Sequence, residues 1–150
     1  MVPYSKPSEQ VGVLDAITPI SQAAGSVSTA WVSVQNFHKA LALVQIGVFG
    51  ASATVDANVQ QAQDNAGTGA KAFTNAKAIT QLLAAGGNNK QIEINIATSE
   101  LDVENSFYFV RLTITVGTAA TLVSGAVIGF NARNAPGSDF NNASVTQIVG

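Results

Sequence analysis

The chain is 150 residues long, carries a formal net charge of −2 at pH 7 and contains no cysteine. Its seven lysines and arginines are scattered, which leaves no basic field to neutralise phosphates and excludes nucleic-acid binding as the main activity. The length suits one domain with a buried core, and the lack of cysteine excludes disulfides and thiolate metal sites.

Residues 1–28 predict an extended N-terminal arm. The segment contains three prolines, small polar residues and isolated apolar positions. It lacks the basic start and uninterrupted apolar core of a secretory signal peptide, so we expect none. The apolar runs elsewhere fall short of the about 20 residues of a membrane helix, so we expect no membrane partner. An arm of this kind must lie against its own sheet or a neighbouring subunit to offset its ordering entropy.

Residues 40–64 predict a β-hairpin. Both faces of residues 41–49 are largely apolar, which predicts a strand covered on both sides. In residues 55–60, Val and Ala alternate with Asp, Asn and Gln, which predicts a strand with one buried and one solvated face. The small residues 50–53 suit a tight connection, so we expect the two strands to pair.

The middle of the chain contains two glycine-rich segments. Residues 65–70 lack the GK[ST] ending of a phosphate-binding loop, so we interpret them as an ordinary strand connection. Residues 76–83 fit either a short edge strand or one or two helical turns. Residues 86–89, Gly-Gly-Asn-Asn, predict a turn because both residue types tolerate a positive φ angle. In residues 92–96 Ile alternates with Glu and Asn, which predicts a strand with one buried face.

Two further strands complete the predicted fold. Residues 107–116 are rich in β-branched and aromatic side chains, residues 121–130 alternate in the same way, and we expect the two to pair as a hairpin. About seven short strands with almost no helical period predict an all-β fold, namely an antiparallel, jelly-roll-like β-sandwich. We assign the sandwich to residues 29–131, the extended N-terminal arm to residues 1–28 and a loose, extended C-terminal tail to residues 132–150.

No residue pattern predicts an active site. His38 is the only histidine, and the chain has no nucleophile motif of the G-x-S-x-G type. The carboxylates that could bind calcium are Asp56, Asp64, Asp102 and Glu104. Their spacing lacks the dense pattern of a dedicated calcium loop. We expect Arg111 to pair with an acidic neighbour such as Glu104, and Trp31 to lie in the core or an interface. We therefore expect no enzyme, no metal and no cofactor.

The motifs GASATVDA at residues 50–57 and GTGAK at residues 67–71 are the most distinctive parts of the chain. Together with the segments 44–82, 99–119 and 131–139, they resemble small proteins encoded near the major capsid gene of tailed bacteriophages and prophages. Proteins of this group look like capsid decoration proteins, also called cement proteins.

The resemblance implies a structural virion protein that binds the outer surface of a tailed-phage capsid and stabilises it. It implies assembly in the host cytoplasm, no cofactor and no catalytic residues. The implied partners are the major capsid protein and further copies of the chain, in a homodimer or homotrimer. Several weak contacts on a repeated lattice act together, so each copy can bind modestly.

The two ends of the chain are the candidate contacts with a capsid or with neighbouring subunits, held by strand addition or apolar anchoring. The candidate interface residues are Val2, Pro3, Tyr4, Ile17, Ile20, Phe140, Val145 and Ile148. These side chains suit packing on their own domain equally well. Two other functions stay open: a carbohydrate-binding or cell-surface-binding virion module, and a minor head or tail structural protein.

Overall fold

The computed structural model describes residues 6–134 and 140–149, and only the backbone of residue 142. These residues form ten strands and two short helices, with three 3-10 turns. The strands are β1 Val11–Gln22, β2 Gly25–Ser28, β3 Val32–Ser33, β4 Phe37–Ile46, β5 Thr54–Ala62, β6 Lys71–Ala78, β7 Leu82–Leu83, β8 Lys90–Ala97, β9 Phe109–Gly117 and β10 Thr121–Ala132. The helices are α1 Pro7–Gln10 and α2 Ala84–Gly87, and the 3-10 turns are Thr98–Glu100, Val103–Asn105 and Asn142–Ser144.

The strands form two antiparallel sheets that face each other. Sheet 1 has the order β1-β10-β4-β8, and sheet 2 has the order β2-β9-β5-β6. Two short strands extend the edges of sheet 2, because β3 also pairs with β9 and β7 also pairs with β5. Most connections carry the chain from one sheet to the other. This order is that of an eight-stranded jelly roll, which confirms the predicted all-β sandwich.

The core lies between the inward faces of the two sheets, where alternate residues of the central strands are buried. Val44 of β4 and Val127 of β10 are fully buried in sheet 1, and Val55 and Leu112 are fully buried opposite them in sheet 2. The predicted face patterns of residues 55–60 and 92–96 are confirmed. In both segments the apolar side chains point inward and the polar ones lie at or near the surface.

Neither predicted hairpin forms. The strand predicted at residues 41–49 corresponds to β4 in sheet 1, whereas the strand predicted at residues 55–60 corresponds to β5 in sheet 2. The connection crosses the end of the sandwich, where Phe49 is buried and its amide donates to Asn88 Oδ1 at 2.9 Å. The crossing keeps the apolar faces of β4 and β5 turned toward the same core. The predicted pairing of residues 107–116 with residues 121–130 is wrong for the same reason, since β9 and β10 belong to different sheets.

Much of the predicted N-terminal arm lies on the two sheets. β1 pairs with β10 from Val11, opposite Phe130, to Gln22, opposite Thr121. β2 then pairs with β9. Residues 11–28 are therefore ordered against their own sheets, which is one of the two supports that an extended arm requires.

Candidate functional site

The outer faces of the two sheets differ in polarity. Sheet 2 presents a polar surface, on which Ser26 Oγ and Thr115 Oγ1 form a hydrogen bond of 2.7 Å. Ser28 Oγ and Thr113 Oγ1 form another at 2.8 Å. The outward residues of β5 beside them are polar too. A polar surface of this kind is stable in contact with water, and covering it would gain little free energy. Sheet 2 therefore offers little driving force for association.

The outer face of sheet 1 is apolar over three strands and three rows. Ile128 lies opposite both Val13 and Leu41, which forms the middle row. Val13 is 36% exposed, and most of the other members are half-buried. We call this surface the apolar face. Its members are Val11, Val13, Ala16, Leu41, Leu43, Ala126, Ile128 and Phe130.

The apolar face corrects one prediction. Residues 41–49 were expected to be covered on both sides, but Leu41 and Leu43 stay partly open to solvent in the described structure. The sandwich has two layers, and sheet 1 already packs its other face against sheet 2. An apolar sheet face that stays partly open is a candidate surface for association.

Two opposite charges lie on the rim of the apolar face. Lys39 is opposite Phe130 in one outer row, and Glu93 is opposite Leu43 in the other. Neither forms an ion pair within the described residues. A groove of about 580 Å³ runs along the edge of β8 beside both side chains, and Asn95 also lines it.

The only tryptophan lies at one end of the outer face of sheet 2. The Arg111 guanidinium lies 4.5 Å from the centre of the Trp31 ring, and its Nη2 donates to Gln60 Oε1 at 3.4 Å. The predicted pairing of Arg111 with Glu104 is therefore wrong. Gln60 is the direct cross-strand neighbour of Arg111. The guanidinium is held by this neighbour and by stacking on the ring.

The glycine-rich loop between β5 and β6 packs beside this tryptophan. A Cβ atom at Gly67 would overlap the Trp31 indole. The Asp64 carboxylate accepts hydrogen bonds from the amides of Ala66 and Thr68 and from the Thr68 hydroxyl. These donors, the Thr68 hydroxyl first, lower the pKa of Asp64. The loop is closed by an anion of its own chain, which agrees with the interpretation of a strand connection.

The C-terminal segment packs on the domain at Phe140. The Phe140 ring stacks on Phe37 with centroids 5.8 Å apart, and it covers Gly12 so closely that a Cβ atom there would overlap the ring. The Asn141 amide donates to the Val13 carbonyl at 2.9 Å. Gly129, directly opposite Gly12, gives the same room to Phe37, since a Cβ there would lie 2.7 Å from that ring. Two glycines therefore make the space for two phenylalanines.

The candidate interface residues fall into three groups. Val2, Pro3 and Tyr4 lie outside the described residues. Ile17 is 6% exposed in the core, and Phe140 packs on Phe37, so both stabilise their own domain. The exposed candidates are Ile20, Val145 and Ile148, which are 44%, 40% and 61% exposed. The interface role of all eight residues stays a prediction.

The exposed candidates are attached to the domain at different points. Ile20 lies opposite Val123, whereas the C-terminal segment meets β1 at Val13, which is opposite Ile128. The five residue steps of β10 from Ile128 to Val123 span about 17 Å. The prediction missed Val149, which is 83% exposed. Its position beside Ile148 was the available signal, since the two are adjacent apolar residues.

The described residues contain no cluster of three or more His, Cys, Asp or Glu side chains that could hold a metal ion. Asp102 pairs with Lys71 and also accepts from Asn105, and these donors, Lys71 first, lower the pKa of Asp102. None of the described helices is long and apolar enough to cross a membrane.

One ion pair joins the two sheets at the β8 edge. Lys77 Nζ of β6 lies 2.8 Å from Glu100 Oε1, and the amide of Ala97 donates to Glu100 Oε2 at 2.9 Å. The hydrogen bond from Lys77 is the largest cause that lowers the pKa of Glu100, and the Ala97 amide is the next. The charged form of Glu100 is therefore favoured in the folded state.

We expect the Glu100→Gln substitution to lower the free energy of unfolding at pH 7 by about 0.5–1 kcal/mol, since the pair is partly exposed. A lowered folded-state pKa stabilises the fold above the unfolded value of about 4.3, and this stabilisation is lost as the pH falls further. The difference from wild type should therefore shrink as the pH falls below the unfolded value and vanish below the folded-state pKa of Glu100. Urea unfolding at neutral and acidic pH measures it. Exposed Glu104→Gln is the control, and a pH-independent difference for Glu100→Gln would contradict the account.

The chain thus defines a two-sheet jelly roll with one apolar outer face and an exposed apolar C-terminal end. No protein-family model matches it, and no curated protein matches it.

Among solved structures, a chain of the T13 IBDV viral particle is similar at 12% identity and a TM-score of 0.48, over 85% of this chain and 32% of that chain. A chain of Broad Bean Stain Virus is similar at 9% identity and a TM-score of 0.45, over 91% of this chain and 94% of that chain. The family 22 carbohydrate binding module of Clostridium thermocellum Xyn10B is similar at 11% identity and a TM-score of 0.41, over 86% of this chain and 98% of that module. This chain spans about a third of the IBDV chain.

Proposed function

We propose that the chain is a structural virion protein that binds the outer surface of a tailed-phage capsid and stabilises it. Its proposed partners are the major capsid protein and further copies of itself, and assembly takes place in the host cytoplasm. The observation that carries the proposal is the exposure of residues 141–149, the described part of the predicted C-terminal tail that follows Phe140. These residues are called the tail below. The domain anchors this segment beside Phe140, yet Ile148 and Val149 are 61% and 83% exposed. The resemblance of the motifs at residues 50–57 and 67–71 supports the same role.

The energetics of one tail favour a weak contact. Covering a fully exposed Val or Ile side chain stabilises a complex by about 1.5–3 kcal/mol, so the exposed parts of Val145, Ile148 and Val149 offer about 3–5.5 kcal/mol. Ordering five backbone residues costs about 5 kcal/mol or more. A single tail therefore gains little, and strong binding requires many tails that engage neighbouring sites of one lattice. A shell supplies such a lattice.

A heat or chaotrope challenge of shells with and without the protein tests the proposal. We expect decorated shells to withstand a higher temperature and denaturant concentration than bare shells. The double variant Ile148→Asp with Val149→Asp should protect no better than buffer, because each carboxylate would be desolvated at the contact. Val103→Asp is the matched control, since Val103 is 44% exposed and lies outside the tail, in the 3-10 turn Val103–Asn105. Equal resistance of bare and decorated shells would contradict the proposal.

The carbohydrate-binding alternative has less support in the structure. A sugar-binding platform needs an open aromatic face, but Arg111 covers one face of Trp31 and the residue 65–70 loop packs against its indole edge. Phe107 is 5% exposed and also lies under a cation, with Lys71 Nζ 4.1 Å from the centre of its ring. These two rings serve the stability of the domain.

A further inference from the structure

We infer that the apolar face of sheet 1 binds the same face of a second copy and forms a two-fold dimer. The inference deepens the proposed function, because it names the partner and the surface through which copies associate. Three properties of the face carry the argument: its area, the sizes of its side chains and the placement of its two charges.

The area of sheet 1 matches what a dimer needs. Strands lie about 4.8 Å apart and rise about 3.3 Å per residue, so four strands as long as β4 present about 600 Å². Two such faces bury about 1,200 Å² together, which is the lower end of the range for specific interfaces. The apolar face occupies the part of this area that β1, β10 and β4 form, and polar residues of β8 border it on one side. An apolar patch bordered by polar residues is usual in such contacts.

The side-chain sizes are self-complementary. A two-fold axis along the middle row, which contains Ile128 and Leu41, exchanges the two outer rows. The row of Phe130 in one copy then faces the row of Ala126 in the second copy. Phe130, a large side chain, then faces Ala126, a small one, and the reverse holds at the symmetric position. Val11 faces Ala16 in the same way. Bulky residues opposite small ones allow two sheets to interdigitate at the normal spacing of about 10 Å.

The charges are also self-complementary. Lys39 lies in the row of Phe130, and Glu93 lies in the row of Ala126 and Leu43, one strand further out. The same two-fold axis places Lys39 over Leu43 of the second copy, next to its Glu93. Each dimer therefore gains two ion pairs at the rim. Pairs at this position set the register of two faces more than they set the affinity.

Sedimentation equilibrium of the full-length purified protein tests the inference. We expect a wild-type dimer, and we expect Ile128→Glu to raise the dissociation constant about 100-fold or more, since two carboxylates per dimer would lose water. Lys39→Glu alone and Glu93→Lys alone should each raise it about tenfold. The combined Lys39→Glu and Glu93→Lys variant should return within about threefold of wild type. The control is Lys90→Glu, which makes the same change of charge as Lys39→Glu. Lys90 lies on β8 but alternates to the opposite side of the strand from Glu93, so the dissociation constant should not change.

Circular dichroism and urea unfolding of each variant confirm that the fold is intact, and the charge exchange keeps the inference testable if Ile128→Glu does not fold. A wild-type monomer or trimer would overturn the inference, as would a combined variant no tighter than the single ones. A monomer whose shell binding is lost in Ile128→Glu would assign the face to the capsid instead. A dimer that fails to protect shells would overturn only the proposed function. A protective monomer would overturn only the inference.

Discussion

Phe37→Ala is expected to lower the free energy of unfolding by about 3–5 kcal/mol, the largest effect of any single substitution that we predict. The Phe37 side chain is fully buried at the start of β4, where it packs under Gly129 and stacks on Phe140. Truncation removes its transfer free energy and leaves a cavity beside Gly129, which has no side chain to fill it. Urea unfolding followed by fluorescence or circular dichroism measures the loss.

The matched control is Phe109→Ala. Phe109 belongs to β9 and is only half-buried, so its truncation should cost about 1 kcal/mol. The ratio of the two losses in the free energy of unfolding shows how well the core is packed at the end of the sandwich where Phe140 lies. A loss below about 1.5 kcal/mol for Phe37→Ala would contradict the packing described for that end.

Gly12→Ala is expected to destabilise the protein by about 1–3 kcal/mol, because the added methyl group would overlap the Phe140 ring. The sign should reverse once the ring is removed. In a Phe140→Ala background the same Gly12→Ala substitution should be neutral or stabilising by up to about 1 kcal/mol, since alanine reduces the entropy of the unfolded strand. A double-mutant cycle by urea unfolding measures this coupling.

Limited proteolysis supplies a second measurement for the same cycle. If Phe140 anchors the C-terminal tail, Gly12→Ala should speed cleavage within residues 141–149, and Phe140→Ala should speed it to the same extent. Additive effects of the two substitutions on stability would contradict the contact between Gly12 and Phe140. Unchanged cleavage in both single variants would show that the ring does not anchor the tail.

The sequence predicts the faces of the strands well. Ile94 and Ile96 of β8 are buried, as the alternation in residues 92–96 predicts. Successive side chains of a strand point to opposite faces, so the apolar ones share the face that is turned to the core. The turn at residues 86–89 is confirmed by positive φ angles of 92° at Gly86 and 55° at Asn89. Residues 76–83 contain the end of β6 and all of β7, so the edge-strand alternative is correct. These features depend on neighbours in the sequence.

The partners of the strands could not be predicted in the same way. Alternation indicates which face of β4 is buried, but it is identical for a hairpin within one sheet and for a crossing between two sheets. The crossing depends on Phe49 and Asn88, which are 39 residues apart in the sequence. The pairing of β1 with β10 joins opposite ends of the chain. Such contacts become visible only when the whole core is assembled.

The interface role of the candidate residues stays a prediction. Ile20, Val145 and Ile148 are exposed, whereas Ile17 and Phe140 pack on the domain. The apolar face was missed because Leu41 and Leu43 were assigned to a strand covered on both sides, and its β1 residues to an extended arm. A single sequence shows that a face is apolar. It does not show whether the cover comes from the same chain or from another copy.

A three-dimensional map of the assembled particle tests most directly whether this protein binds the outside of a shell. We expect jelly-roll density on the outer surface at each equivalent lattice position, with residues 143–149 in contact with capsid subunits. The proposed function would be contradicted by density inside the shell, by density confined to the phage tail, or by a particle that lacks the protein.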